Sequence, residues 1–297
     1  MDSGVSTKSE NRAVLALLVS STLWGLIWYP LRLLEEGGIN GLWSSLMIYG
    51  SLIPLGLWMA RRHLAQVLRH PYAFLIIAIA SGWCNVAFIV AVIDGHVVRV
   101  LLLFYLSPVW AILLAWWWLG EVPHNKAIMT VVVAMLGALV MLWNPELGVP
   151  WPESSSDWLA LSSGLGFAIA NVALRASHGL DLRVKMASNW LGVGLVALVG
   201  ILFSASAVPH VPVLWYGLAV LMGGVMLIMT ITVQYGVTHL AIYRSSVILL
   251  FELVAGAISA QLLTDERINV SEWIGGGLII LAAYLSARTQ RESAGDV

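Results

Sequence analysis

The chain is short of charge. Among 297 residues it has 15 Lys and Arg and 16 Asp and Glu, or 10% charged, where a soluble domain carries about 25%. Its net charge of −1 comes without a basic tract, which excludes a nucleic-acid binder built on phosphate contacts. Cysteine is nearly missing. Cys84 alone excludes an intramolecular disulfide, a thiolate zinc cluster and a CxxC redox pair. No GxxxxGK[ST] phosphate loop occurs, so the chain carries no ATP motor of its own. HExxH and G-x-S-x-G are absent too, and the seven histidines (63, 70, 96, 124, 178, 210, 239) fall in loops or near the ends of apolar runs. Neither a metal site nor a cofactor is expected.

What the chain has is long apolar runs. It is 60% hydrophobic with a mean hydropathy of +0.88, too much for a soluble core, because a domain of this size still exposes roughly a quarter of its unfolded surface. Ten runs reach the length of about 20 residues that crosses a bilayer: 13–34, 41–60, 72–93, 97–119, 126–144, 157–176, 185–204, 213–235, 240–263 and 271–288. Alternation of period two is absent, which removes an outer-membrane barrel. The first run is too long for a signal-peptide core and lacks an A-x-A-like exit, so it is expected to be retained. The reading is an all-α integral membrane protein. Short tails cover 1–12 and 289–297, and a linker at 145–156 holds Pro145, Pro150 and Pro152.

Orientation follows from charge. With the N-terminus inside, twelve of the fifteen Lys and Arg lie on the cytoplasmic side and only Arg32, Arg99 and Arg267 lie outside. That is a strong positive-inside asymmetry, and with an even number of spans it places both termini in the cytoplasm.

The sequence also repeats. Ser107–Glu121 (SPVWAILLAWWWLGE) aligns without a gap on Glu252–Glu266 (ELVAGAISAQLLTDE), an offset of 145 that pairs Arg99 with Arg244 and Glu121 with Glu266. An offset of 143 pairs Trp24 with Phe167 and Arg32 with Arg175. Residues 13–144 and 157–288 then hold five spans each. An odd number of spans turns the second copy upside down, and inverted repeats with a site at their interface are a recurrent secondary-transporter plan. Duplication serving only packing is the alternative.

These residues resemble a family. The LWG of span 1, the LSP…LGE block of span 4 and its echo FEL…TDE are similar to the drug/metabolite transporter superfamily, EamA-type, over the whole membrane region. Leu253 stands where that family often has proline, and Asp265 where glycine is usual. A narrower likeness is to the YddG-type bacterial exporters of aromatic and other neutral amino acids. The resemblance implies alternating-access export of amino acids across a bacterial inner membrane.

The same spans offer candidate cargo contacts. Ten of the 15 tryptophans lie near span ends, as interfacial belts do. Trp24, Trp28, Trp83, Trp110 and Trp190 lie nearer mid-membrane, with Tyr29, Phe104, Tyr105 and Phe167. Such rings offer apolar faces and a polar handle, either to a lined cavity or to lipid and packing. Asn85, Ser107 and Asn171 share spans with them and can bond either a zwitterion or a neighbouring helix. Glu252 stands near mid-membrane at the repeat position of Ser107. A carboxylate there is costly unless protonated, paired or hydrated, so it exchanges a proton, holds an ammonium group, or bonds a neighbouring helix. Pro108 withholds an N–H from the Phe104 carbonyl and is a candidate hinge; Pro30 and Pro54 do the same to Leu26 and Gly50.

The predicted substrate cavity therefore comprises Trp24, Trp28, Trp83, Asn85, Tyr105, Ser107, Trp110, Phe167, Asn171 and Glu252. Expected partners are the lipid bilayer and a small-molecule substrate, an amino acid, with neither nucleic acid nor an obligate protein partner. Export of hydrophobic or cationic drugs fits the same residues. A polytopic enzyme acting on lipid, or a receptor that binds without moving its ligand, represents another class.

Overall fold

The structure is a computed structural model that describes residues 7–94, 97–143, 152–263 and 270–293. Pro145, Glu146, Pro150 and Trp151 of the linker, His96, and Asp265, Glu266 and Arg267 of the second repeat block lie outside the described residues. So do 1–6 and 294–297 of the two tails.

All regular structure among the described residues is helical. In chain order the α-helices are α1 (Thr7–Leu26), α2 (Trp28–Glu36), α3 (Gly41–Ala60), α4 (Leu64–Arg69), α5 (Pro71–Asp94), α6 (Val97–Phe104) and α7 (Ser107–Leu119). Then come α8 (Asn125–Leu142), α9 (Ser155–Ala176), α10 (Leu182–Ser204), α11 (Val213–His239), α12 (Ile242–Leu249), α13 (Phe251–Leu263) and α14 (Val270–Ser293). Nine helical stretches among these residues are long and apolar enough to cross a membrane, and Val270–Ser286 is a shorter apolar helix. The chain is a multi-pass membrane protein. The first stretch starts earlier than its apolar run, because α1 already begins at Thr7.

Besides the stretch Gly41–Arg69, where a 3-10 turn at Arg61–His63 separates α3 from α4, three stretches are broken. α1 gives way to α2 at Ile27, α6 to α7 at Tyr105–Leu106, and α12 to α13 at Leu250. Proline accounts for the first two, since Pro30 and Pro108 have no N–H to offer the carbonyls of Leu26 and Phe104. No proline marks the third. Pro54, by contrast, sits inside the uninterrupted α3. The Phe104 carbonyl lies over Gly164 of α9, where a Cβ would approach it to 2.7 Å. A side chain there would push the two helices apart.

Helix ends are closed locally. Ser154 and Asp157 form a capping box at the start of α9, and Asn40 and Asp181 cap α3 and α10, each satisfying N–H groups that the helix cannot. α7 ends at Gly120, whose φ of +67° suits glycine alone without strain. The Glu121 N–H returns to the Ala115 carbonyl at 3.2 Å, the closure expected of a left-handed cap.

In the bundle α9 packs on α5, α6 and α7, α10 on α3 and α5, α1 on α11 and α13, and α8 on α14. Arg244 at the start of α12 pairs with Glu10 of α1 at 3.4 Å and donates to the Ser286 carbonyl of α14 at 3.0 Å. The first and last described helices thus come together at one end of the bundle. At the opposite end Arg99 of α6 pairs with Glu153 and Asp157, both at 3.1 Å.

Candidate functional site

Glu252 lies in the first turn of α13, just past the break at Leu250. A helix start carries partial positive charge, which favours a carboxylate there. The Tyr105 hydroxyl donates to Glu252 Oε1, and Tyr105 stands at the other interior break. The two breaks are 145 residues apart, and the contact between them joins positions 147 apart. Around this contact the Phe104 ring packs on Phe88 at 4.7 Å, Tyr105 at 5.4 Å and Phe167 at 5.7 Å. Cys84, Val247, Leu250 and Leu253 belong to the same cluster. Tyr105 is buried, whereas Glu252 keeps partial access.

The other predicted residues fall into two groups. Ser107 and Pro108 are buried in the first turn of α7, and Trp110 follows them with its indole N–H buried and without a hydrogen-bond partner among the described residues. Phe167 packs in the same cluster as Trp110 and on Phe104 beside Tyr105, while Asn171, one turn further along α9, is buried.

Trp28, Trp24, Asn85 and Trp83 make contacts of their own, and Gly25 beside Trp24 packs on the Glu252 carbonyl, which a Cβ there would approach to 2.5 Å. Trp28 Nε1 donates to Ser259 Oγ at 2.9 Å, and that hydroxyl meets the Gly25 carbonyl at 3.0 Å. The break in the first span is thereby tied to α13, the helix that carries Glu252. Trp24 packs into the cluster around Tyr49 and Trp190. Asn85 accepts from the Tyr49 hydroxyl at 2.8 Å and donates to the Ser81 carbonyl at 2.9 Å, bracing α3 against α5. Trp83 is 43% exposed and donates to Ser162 Oγ at 3.2 Å. Tyr49, which also reaches Met226 Sδ at 3.5 Å, was not a sequence candidate. Nothing in its span distinguishes it from an interfacial tyrosine.

A second polar assembly occupies the Arg244 end of the bundle. Glu121 Oε1 accepts from Arg175 Nε at 2.9 Å, and its Oε2 accepts from the Ile242 N–H at 3.0 Å. Arg175 Nη1 donates to the Thr238 carbonyl at 2.8 Å. The buried Lys185 Nζ donates to the Leu174 carbonyl at 2.8 Å, near the C-terminal end of α9, where helix carbonyls favour a cation. A cavity of about 230 Å³ opens nearby among His70, Tyr72, Trp118 and Ser177, and it holds none of the predicted cargo residues.

Comparison with known proteins agrees with this architecture. Residues 11–143 match the EamA-like transporter family. The uncharacterized transporter PA0485 of Pseudomonas aeruginosa is 25% identical over 222 residues, spanning 71% of this chain and 70% of that relative. A solved crystal structure of a protein superposes with a TM-score of 0.74, covering 95% of this chain and 99% of that one at 16% identity. That last likeness concerns the fold alone.

Proposed function

We propose, from the premise that residues 11–143 carry an EamA-like transporter domain, that the whole chain is a secondary transporter exporting amino acids, aromatic and other neutral ones favoured. It lies in a bacterial inner membrane with both termini in the cytoplasm. Two inverted five-helix halves, 13–144 and 157–288, rock about a midplane site without covalent chemistry.

The observation that carries this reading is the Tyr105–Glu252 contact between two broken helices. Discontinuous helices meeting near the midplane are the usual way such transporters build a polar site in hydrocarbon. Glu252 accepts the cargo ammonium group. The Phe88, Phe104 and Phe167 rings take its apolar side chain, while Trp110, Ser107 and Asn171 supply neutral donors for its carboxylate.

The ion pairs support the inverted repeat independently. Arg99 and Arg244 are repeat partners at offset 145, while Glu10 and Glu153 differ by 143, the offset of the first aligned block. Arg99 meets Glu153 and Arg244 meets Glu10, at opposite ends of the bundle. An inverted duplication gives that arrangement directly.

One observation favours a second cargo, a hydrophobic organic cation. The Glu252 carboxylate lies beside Tyr105 and the rings packed around it, a combination that attracts cations. Flux of labelled phenylalanine and of a lipophilic cation into liposomes containing only this protein separates the two. Saturable phenylalanine flux supports the amino-acid assignment. Cation flux without flux of any amino acid replaces it.

A further inference from the structure

Glu121 is one of the least exchangeable ties in the bundle. It ends the LGE segment after α7, and each of its carboxylate oxygens holds a different element. Oε1 holds Arg175 of α9 and Oε2 holds the first N–H of α12. Arg175 in turn grips the end of α11 through the Thr238 carbonyl, and Lys185 reaches the Thr238 hydroxyl at 3.4 Å. One carboxylate of the first half therefore pins three helices of the second.

Repeat positions separate this tie from the other ion pairs. The Arg99 and Arg244 pairs are repeat counterparts, and both are formed at once. Pairs formed at both ends at once mark neither end as the closed one, and we treat them as struts. Arg175 behaves differently. Its counterpart at offset 143 is Arg32, which is 62% exposed and pairs at 3.1 Å with Glu36 of its own helix, whereas Arg175 is 22% exposed and bridges the halves. Among the described residues, which do not include Glu266, the counterpart of Glu121, the duplication is symmetric here in sequence and asymmetric in contact. A contact made at one end while the matching arginine at the other end turns to its own helix is what a two-state rocking motion leaves behind.

We infer that Glu121, Arg175 and the α12 N-terminus form a state-dependent latch that closes the Arg244 end of the cargo pathway and must release for that end to open. The inference rests on the transport reading proposed above. Glu121 and Arg175 act as positioning residues, since neither lies in the Tyr105–Glu252 cluster.

Two measurements in a Cys84→Ser background test it. Leu114 lies on α7, two turns above Glu121, and is partly buried. Leu114→Cys is labelled with a membrane-impermeant thiol reagent from the Arg244 end. Adding Arg175→Gln is expected to raise the labelling rate about tenfold, as when a minor open state becomes a major one. An unchanged rate overturns the latch. Second, Glu121→Cys with Arg175→Cys is bridged by a short bifunctional thiol reagent, and flux is compared before and after bridging. Flux should fall about tenfold and recover when a cleavable bridge is cut, while bridging Arg99→Cys to Glu153→Cys leaves flux unchanged. Equal effects at both ends overturn the distinction between latch and strut. Wild-type flux is measured on the same vesicles. Its absence alongside the labelling shift overturns the transport reading and leaves the latch standing.

Discussion

Tyr105 donates its hydroxyl to Glu252 across the meeting point of two broken helices. Removing the Glu252 charge while keeping its shape, as in Glu252→Gln, loses a charge-assisted bond of about 1.5–3 kcal/mol, so cargo affinity should fall roughly ten- to hundredfold. Tyr105→Phe removes one donor and leaves the charge, so its loss should be smaller. Flux at several cargo concentrations checks both. Normal transport with normal pH dependence in Glu252→Gln removes this residue from the mechanism.

Close approach of α6 and α9 depends on Gly164. A methyl there meets the Phe104 carbonyl at 2.7 Å, so Gly164→Ala should destabilise by about 1–3 kcal/mol through overpacking. Gly217 of α11 is the control, because a Cβ there meets nothing within 4 Å. Gly217→Ala should be neutral or add about 0.5–1 kcal/mol from helix preference. Thermal unfolding in detergent distinguishes the two.

Pro108 separates rate from stability. Pro108→Ala supplies the N–H that the Phe104 carbonyl lacks, which favours a continuous helix across Tyr105–Leu106. The melting temperature should hold or rise while the transport rate falls. An unchanged rate counts against Pro108 as a hinge.

Not all ion pairs weigh equally. Arg244 is 3% exposed and serves Glu10 and the Ser286 carbonyl. Arg244→Gln should therefore cost about 3–5 kcal/mol, the usual result of orphaning one partner of a buried pair. Arg32 and Glu36 are both more than half exposed, and an exposed i,i+4 pair is worth only about 0.3–0.5 kcal/mol. Arg32→Gln should leave the unfolding temperature within error.

The spans were legible in the sequence because about 20 apolar residues have no other stable use. The break at Tyr105–Leu106 was announced by Pro108. Its counterpart at Leu250 was not, since Leu253 stands where a proline would have signalled it. Glu252 stood out as a lone carboxylate in an apolar run. Its partner did not, because Tyr105 lies 147 residues away and helix pairing sets their contact. The same holds for Tyr49 with Asn85, and for Glu10 with Arg244. Trp83 shows the limit of composition, since an indole in mid-span reads alike whether it faces a chamber or the outer surface.

Accessibility of one position beside the Tyr105–Leu106 break tests the account most directly. Ser107→Cys in a Cys84→Ser background is exposed to an impermeant thiol reagent in right-side-out and in inverted vesicles. The account predicts labelling from each face, with protection by phenylalanine from both, because a single chamber opens alternately to the two sides. Labelling from only one face under every condition, or from neither, would contradict it.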